Sequence, residues 1–299
     1  MKRALLTLCI LLGLYDGAQA QLLYKISGNG LDTPSYIVGT FHVAPASFAD
    51  EIDGMQEVID SVEQVYGEVD MQSVNAAQIA RSEAMFIADG GYIDDYFSQE
   101  EMERINAYLR QIMMVDLTNP YMRNQLGRIR PSILATQLIV LEYMRQHPEV
   151  NPTAVIDNHF QQVALREGKQ IGGLETIEFQ MELLYAPKSV DEEREELLEL
   201  VDNNEELVAE MEAMAKVYFA QDIEALHNIM LEELESGDMT QEEWNNLIVN
   251  RNHRWSEIMP NIMAEHATLF VVGAGHLFGQ EGVLELLRQA GYRVEAVVR

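Results

Sequence analysis

Two apolar runs, one near each end of the chain, break at glycine and continue to histidine. Ser35-Tyr36-Ile37-Val38 leads into Gly39-Thr40-Phe41-His42, and residues 267–272 lead into Gly273-Ala274-Gly275-His276. Continuous β-branched and aromatic runs ending in glycine predict buried parallel strands meeting their loops. Residues 22–27 instead alternate apolar and polar, and Gly28-Asn29-Gly30 supplies turn chemistry, so the fold opens with a hairpin. Residues 48–62 carry apolar side chains at helical spacing (Ile52, Met55, Val58, Ile59, Val62), and residues 64–69 read as a strand with Glu68 near its end. Strand, helix, strand in that order predicts a right-handed parallel crossover. It brings Glu68 toward the rim that holds His42.

The middle of the chain is helical in pattern from about residue 73 to 148. Ser98 with Glu101 forms a capping box that opens a helix over 102–114, and Pro131 suits the first position of a helix over 132–145. A helix over 155–166 precedes a short strand at 170–174. Residues 191–238 are acidic and helical, with buried stripes through Leu197, Leu198 and Val201 and through Ile223, Leu226 and Ile229. Residues 241–263 form another helix. The strand at 267–272, a helix over 281–290 and a strand over 294–298 close the chain. The predicted class is α/β of mixed character: a central, mostly parallel sheet built from both termini, with a large helical insertion at about 73–263.

Composition narrows the function classes. Lys2-Arg3, an apolar stretch at 4–14 and Ala18-Gln19-Ala20 read as a signal peptide over 1–20. The apolar stretch is too short to span a bilayer, and no later run reaches the ~18 apolar residues a span needs. The expectation is a single domain over 21–299, exported to a bacterial periplasm or secreted, with no membrane span in the mature chain. Cys9, the one cysteine, leaves with the signal, which excludes disulfides, thiolate metal sites and cysteine nucleophiles. The formal charge of −29 argues against nucleic acid and anionic membranes as partners. It is compatible with cation binding, although acidic surfaces usually serve solubility. The methionines fall mainly at helical core spacing and read as packing.

In open α/β sheets, chemistry collects at the carboxyl ends of the strands. His42 and His276 both follow strand-end glycines, and Glu68 is the nearest carboxylate by topology. Two histidines and a glutamate match the ligand set of many catalytic zinc sites. A metal there, Zn²⁺, Mn²⁺ or a similar ion, lowers the pKa of water toward ~7. The competing reading is that these residues hold their loops by hydrogen bonds, and Glu68 is alternatively a general base. Arg251 and Arg254 share a helix face by their spacing, and either guanidinium suits a substrate carboxylate or an oxyanion. The bland alternative for both arginines is ion pairing with some of the many acidic side chains. Glu175 reads as a cap for the helix that follows it, or else as a carboxylate orienting a histidine. Asp157 and His159 point to different sides of a helix, His147 and His227 read as surface residues, and His266 lies at the wrong end of its strand.

The order and spacing of these pieces resemble the TraB/GumN family, which includes the TIKI metalloproteases. The residues that carry the resemblance run from Leu23-Tyr24-Lys25-Ile26-Ser27-Gly28 and Tyr36 to His42, through Gly67-Glu68-Val69-Asp70, Ile156-Asp157 to Phe160, Gly173-Leu174-Glu175-Thr176 and Arg251-Asn252-His253-Arg254-Trp255. They end with residues 270–298, including Val272-Gly273-Ala274-Gly275-His276-Leu277. The resemblance implies an α/β core shared with erythromycin-esterase and haem-binding ChaN-like proteins. For the TIKI branch it implies divalent-metal-dependent peptide cleavage using the two histidine motifs and the glutamate. The expectation is therefore a metal-dependent hydrolase acting on a peptide or small molecule, with His42, Glu68 and His276 as metal ligands and Arg254 assisting. The alternatives are a metal-independent, histidine-based esterase and a periplasmic protein that binds a peptide, haem or small molecule without turnover.

Overall fold

The computed structural model describes residues 21–73, 85–148, 150–151, 153–184, 188–237 and 239–298. The expected signal peptide, and the first part of the helical stretch expected from residue 73, fall largely outside them. Strands β1 (Leu23–Ser27) and β2 (Ser35–Thr40) form the expected hairpin, and α1 (Met55–Ser61) leads to β3 (Gln64–Val69). The first half of the expected 48–62 helix is instead a 3₁₀ turn at Ala46–Glu51, and the left-handed Gly54 separates it from α1. The helical region follows with α2 (Gln99–Met113), α3 (Pro120–Gln125), α4 (Pro131–Gln146) and α5 (Ile156–Arg166). Ser98 and Glu101 form the reciprocal cap of α2, and Pro131 opens α4.

Next come β4 (Gln170–Glu175), α6 (Ile177–Leu184), α7 (Val190–Phe219) and α8 (Ile223–Ser236). The short α9 (Gln241–Trp244) passes through a π turn at Asn245–Val249 into α10 (Asn250–Glu265). The chain closes with β5 (Thr268–Gly273), α11 (Val283–Gln289) and β6 (Arg293–Ala296).

The six strands form one sheet in the order β4-β3-β5-β2-β1-β6. β2, β5, β3 and β4 pair in parallel, and only β1 runs against its neighbours. The protein is thus a mixed α/β fold, and β4 comes from within the helical insertion to complete one edge. Parallel strands need both faces covered. Here Val58, Phe160, Trp255, Met259 and Leu287 join Ile37, Val38, Val65 and Phe270 in the main core. The helical region packs separately, with Ile105 and Leu109 of α2, Leu134 and Leu138 of α4, and Leu197 and Leu200 of α7 in a second cluster. Among the described residues no helix is long and apolar enough to cross a membrane.

This strand order fixes the edge at which the expected site residues gather. The register pairs Thr40 with Gly273 and Val69 with Glu175, so the carboxyl ends of β2, β5, β3 and β4 stand side by side. His42, His276, Glu68 and Glu175 all come from those ends.

Candidate active site

The two glycine–histidine turns lie against one another. A Cβ on Gly39 would sit 2.8 Å from Leu277 Cδ1 and 3.0 Å from Ala274 Cα, so only glycine lets the first turn approach the second. The buried Tyr218 hydroxyl donates to the Gly39 carbonyl at 3.1 Å and pins that turn from the α7 side.

His276 is buried, and its ring lies 4.5 Å from the Trp255 indole. Asn252 Nδ2 donates to the Glu281 carbonyl, which turns its Oδ1 toward His276 Nδ1 at 2.7 Å. The Nδ1 therefore carries the proton and Nε2 is the acceptor. Arg251 Nη1 occupies that acceptor at 3.0 Å. Burial pushes His276 down to about 3, so the ring is neutral across the physiological range.

Glu68 extends from β3. Its Oε1 accepts from the Gly273 amide at 2.9 Å, and its Oε2 accepts from Arg251 Nη2 at 2.6 Å and Gln180 Nε2 at 2.9 Å. Burial acts to raise this carboxyl, but His276, Arg251 and the Gly273 amide outweigh it and hold the group at about 2. Because His276 is neutral at pH 7, the permanent guanidinium of Arg251 is the cation that acts there. Glu68 Oε1 and His276 Nε2 stand 3.9 Å apart.

His42 stands at the opposite, open side, with its side chain 79 % exposed. Its Nδ1 lies 3.1 Å from Asp157 Oδ1, which also accepts from the Thr40 hydroxyl at 2.7 Å. The hydrogen bond and charge of Asp157 raise His42 to about 9, so at neutral pH it is an imidazolium with Nε2 free of this pairing. Asp157 Oδ2 is buried without a hydrogen-bond partner among the described residues. A cleft of about 140 Å³ runs past His42, Glu68, Asp157, Asn158 and Gln180.

The expected arginine is not the one that enters the site. Arg254 is exposed and lies over the Phe179 ring, with its guanidinium carbon 4.3 Å from the centroid. Arg251 reaches Glu68, Glu175 and His276 instead. Its position follows from the buried stripe of α10, since Arg251, Trp255, Met259 and Met263 recur every four residues and face the sheet. Arg254 falls off that stripe. Glu175 does not cap α6, a task taken by Thr176, whose hydroxyl accepts from the Phe179 amide. With a fully buried side chain, Glu175 grips Arg251 Nε at 3.2 Å and Nη2 at 2.5 Å, and also accepts from Trp255 Nε1. His266 pairs with Glu63 at the amino end of β5, away from this edge.

The sequence profile of the TraB/PrgY/gumN family matches residues 22–296. The chain belongs to this family. Comparison with curated proteins and with solved structures returned no match. In this TraB/PrgY/gumN member, the segments that carry the family resemblance supply the residues gathered at the carboxyl edge: His42, Glu68, Asp157, Glu175, Arg251, Asn252 and His276.

The donor chemistry of the site suits a divalent cation. Ligating histidines usually donate one ring N–H to an oxygen and present the other nitrogen. His42 and His276 both have Nδ1 tied to a side-chain oxygen, so any ligation would fall to Nε2, which in His276 is held by Arg251 and in His42 is protonated at neutral pH. His276 Nε2 and Glu68 Oε1 stand 3.9 Å apart, wider than the ~3.3 Å between two ligands of a tetrahedral ion, so these donors would have to move closer to hold one together. Among the described residues no three His, Cys, Asp or Glu side chains are grouped as a ligand set. Arg251 holds the two buried donors, and His42 stays with Asp157.

Proposed function

We propose that this protein is an exported hydrolase that attacks an amide or ester carbonyl in the cleft between His42 and Glu68. His42, Glu68 and His276 would hold a divalent ion there. The observation that carries this reading is that both histidines are fixed through Nδ1, so Nε2 would be the ligating nitrogen of each once His42 gives up its proton and Arg251 its hold on His276. A divalent ion in this place supplies water activation near neutral pH and polarises the substrate carbonyl. The protein's own groups do the rest. Gln180 and the Gly273 amide orient Glu68, and Asn252 holds His276 in the one tautomer that leaves Nε2 unprotonated. Asp157, on the cleft wall, orients His42 through Oδ1. The small volume of the cleft admits one polar group or one residue of a peptide rather than a large ligand.

A metal-free reading uses the same cleft, and the charge on His42 favours it. As an imidazolium held by Asp157, His42 donates from Nε2 to the leaving group, which is general acid catalysis. The two readings separate in one experiment. Protein comprising residues 21–299 is screened against peptide and ester substrates, with added Mn²⁺ or Zn²⁺ and with chelator. The proposal expects turnover that chelator abolishes and the added ion restores. Turnover indifferent to chelator would leave the histidine-acid reading. Ligand capture without turnover would overturn both.

A further inference from the structure

We infer that Arg251 is an internal competitor for this cation site: its guanidinium occupies the lone pairs that a divalent ion needs, and loading requires it to release His276 and Glu68. The inference rests on the metal reading above and adds a residue that controls it.

The geometry makes the competition direct. His276 has one acceptor nitrogen, since Asn252 fixes the proton on Nδ1, and Arg251 Nη1 sits on it at 3.0 Å. Glu68 Oε2 accepts from Arg251 Nη2 at 2.6 Å. An ion bound between Glu68 and His276 would face a fixed positive charge in contact with both ligands, and the His276 lone pair cannot serve two partners. An arginine kept only for charge balance would find that balance in carboxylates. Arg251 meets two carboxylates, Glu68 and Glu175, and still turns its Nη1 arm onto His276 Nε2.

The released arginine keeps a place to go. Glu175, fully buried, binds it through both Nε and Nη2, and Trp255 faces the guanidinium at 4.7 Å. Leu247, within the π turn that precedes α10, accepts from Nη1 at 3.2 Å. Single π turns inside helices are frequent at functional sites. Arg251 is thus shared between two sets of partners: Glu175, Trp255 and Leu247 on one hand, and Glu68 and His276 on the other. The second set is the one a cation takes over. The remaining group facing this cluster, Gln180, bridges Glu68 and Glu175 and stays neutral in either state.

The test titrates Zn²⁺ and Mn²⁺ by calorimetry into the wild-type protein and the Arg251→Met and Arg251→Lys variants, with folding checked by circular dichroism. The expected result is binding at least tenfold tighter in Arg251→Met, with the gain removed when His276→Ala is added. Trp255 fluorescence, read in a Trp244→Phe background, reports the movement itself. Zn²⁺ should change the emission more when Arg251 is present than in Arg251→Met, where only the metal on His276 beside the indole acts. Equal or weaker binding in a folded Arg251→Met protein would overturn the inference while the metal reading stands. No binding in any of these proteins would overturn the metal reading and the inference with it. If Arg251→Met does not fold, two results decide. Wild-type Zn²⁺ binding that leaves Trp255 emission unchanged overturns the inference. Tighter binding in Arg251→Lys, which keeps the charge but cannot fork, upholds it.

Discussion

Replacing Glu175 by alanine should destabilise the protein by about 3–4 kcal/mol. Its side chain has no exposed surface and accepts four hydrogen bonds, from Arg251 Nε and Nη2, Gln180 Nε2 and Trp255 Nε1. Removing one partner of a buried ion pair costs about 3–5 kcal/mol, chiefly because the other charge is left uncompensated. Glu68 still touches Arg251 Nη2, which keeps that cost near the lower end. The Trp255 indole N–H loses its acceptor, which adds about 1 kcal/mol. At about 2–2.5 °C per kcal/mol for a domain of this size, the melting temperature falls by about 6–10 °C. Thermal melts followed by circular dichroism, on residues 21–299 at pH 7, measure it directly. Glu175→Gln keeps the shape and one acceptor oxygen but removes the charge, and should fall between wild type and Glu175→Ala. A drop below about 2 °C in Glu175→Ala would show that Arg251 does not depend on this carboxylate, and the buried cluster would need redrawing.

Four further outcomes follow from the same geometry. Asp157→Asn should bring His42 from about 9 back toward its ordinary 6.5, followed by NMR titration of its ring protons. Because the folded state raises His42, the stability from its pairing is full below pH 6.5 and is lost as pH rises through about 9, so Asp157→Asn should flatten stability across that window. On the acid side, burial holds His276 at about 3, so its contribution is present above pH 6.5 and is lost as pH falls toward 3; Glu68, held at about 2, adds a second loss below pH 4.5. Gly173→Ala should cost about 1–3 kcal/mol in chemical denaturation, because its Cβ would lie 2.5 Å from the Asp70 backbone nitrogen, which cannot move aside cheaply.

The sheet edge was legible in the sequence because its signals are local. The apolar runs at 35–38 and 267–272, each broken by glycine, marked two strand ends, and their parallel pairing puts both histidine turns on one rim. The strand at 64–69 needed only its own alternation and the helix before it. Arg251 was missed although its signal was present. A spacing of three placed both arginines on one face, whereas the four-residue recurrence through Trp255, Met259 and Met263 selects Arg251 for the buried stripe. Asp157 had no comparable mark. It stands beside the buried Ile156 in the first turn of α5, and its value comes from Thr40 and His42, more than a hundred residues away in sequence. The same holds for Asn252, whose role is set by the Glu281 carbonyl. Local patterns identify elements and strand ends; partners that meet across the fold need the structure.

The most direct test of the proposed chemistry is the rate at which wild-type and His42→Ala proteins hydrolyse the same peptide or ester substrate with Mn²⁺ or Zn²⁺ present. His42 is exposed and bonded only to Asp157 among the described residues, so its removal leaves the fold intact. The account predicts measurable turnover in the wild type and a loss of at least about 100-fold in the variant, on the scale of one catalytic group. Equal turnover in the two proteins would contradict it.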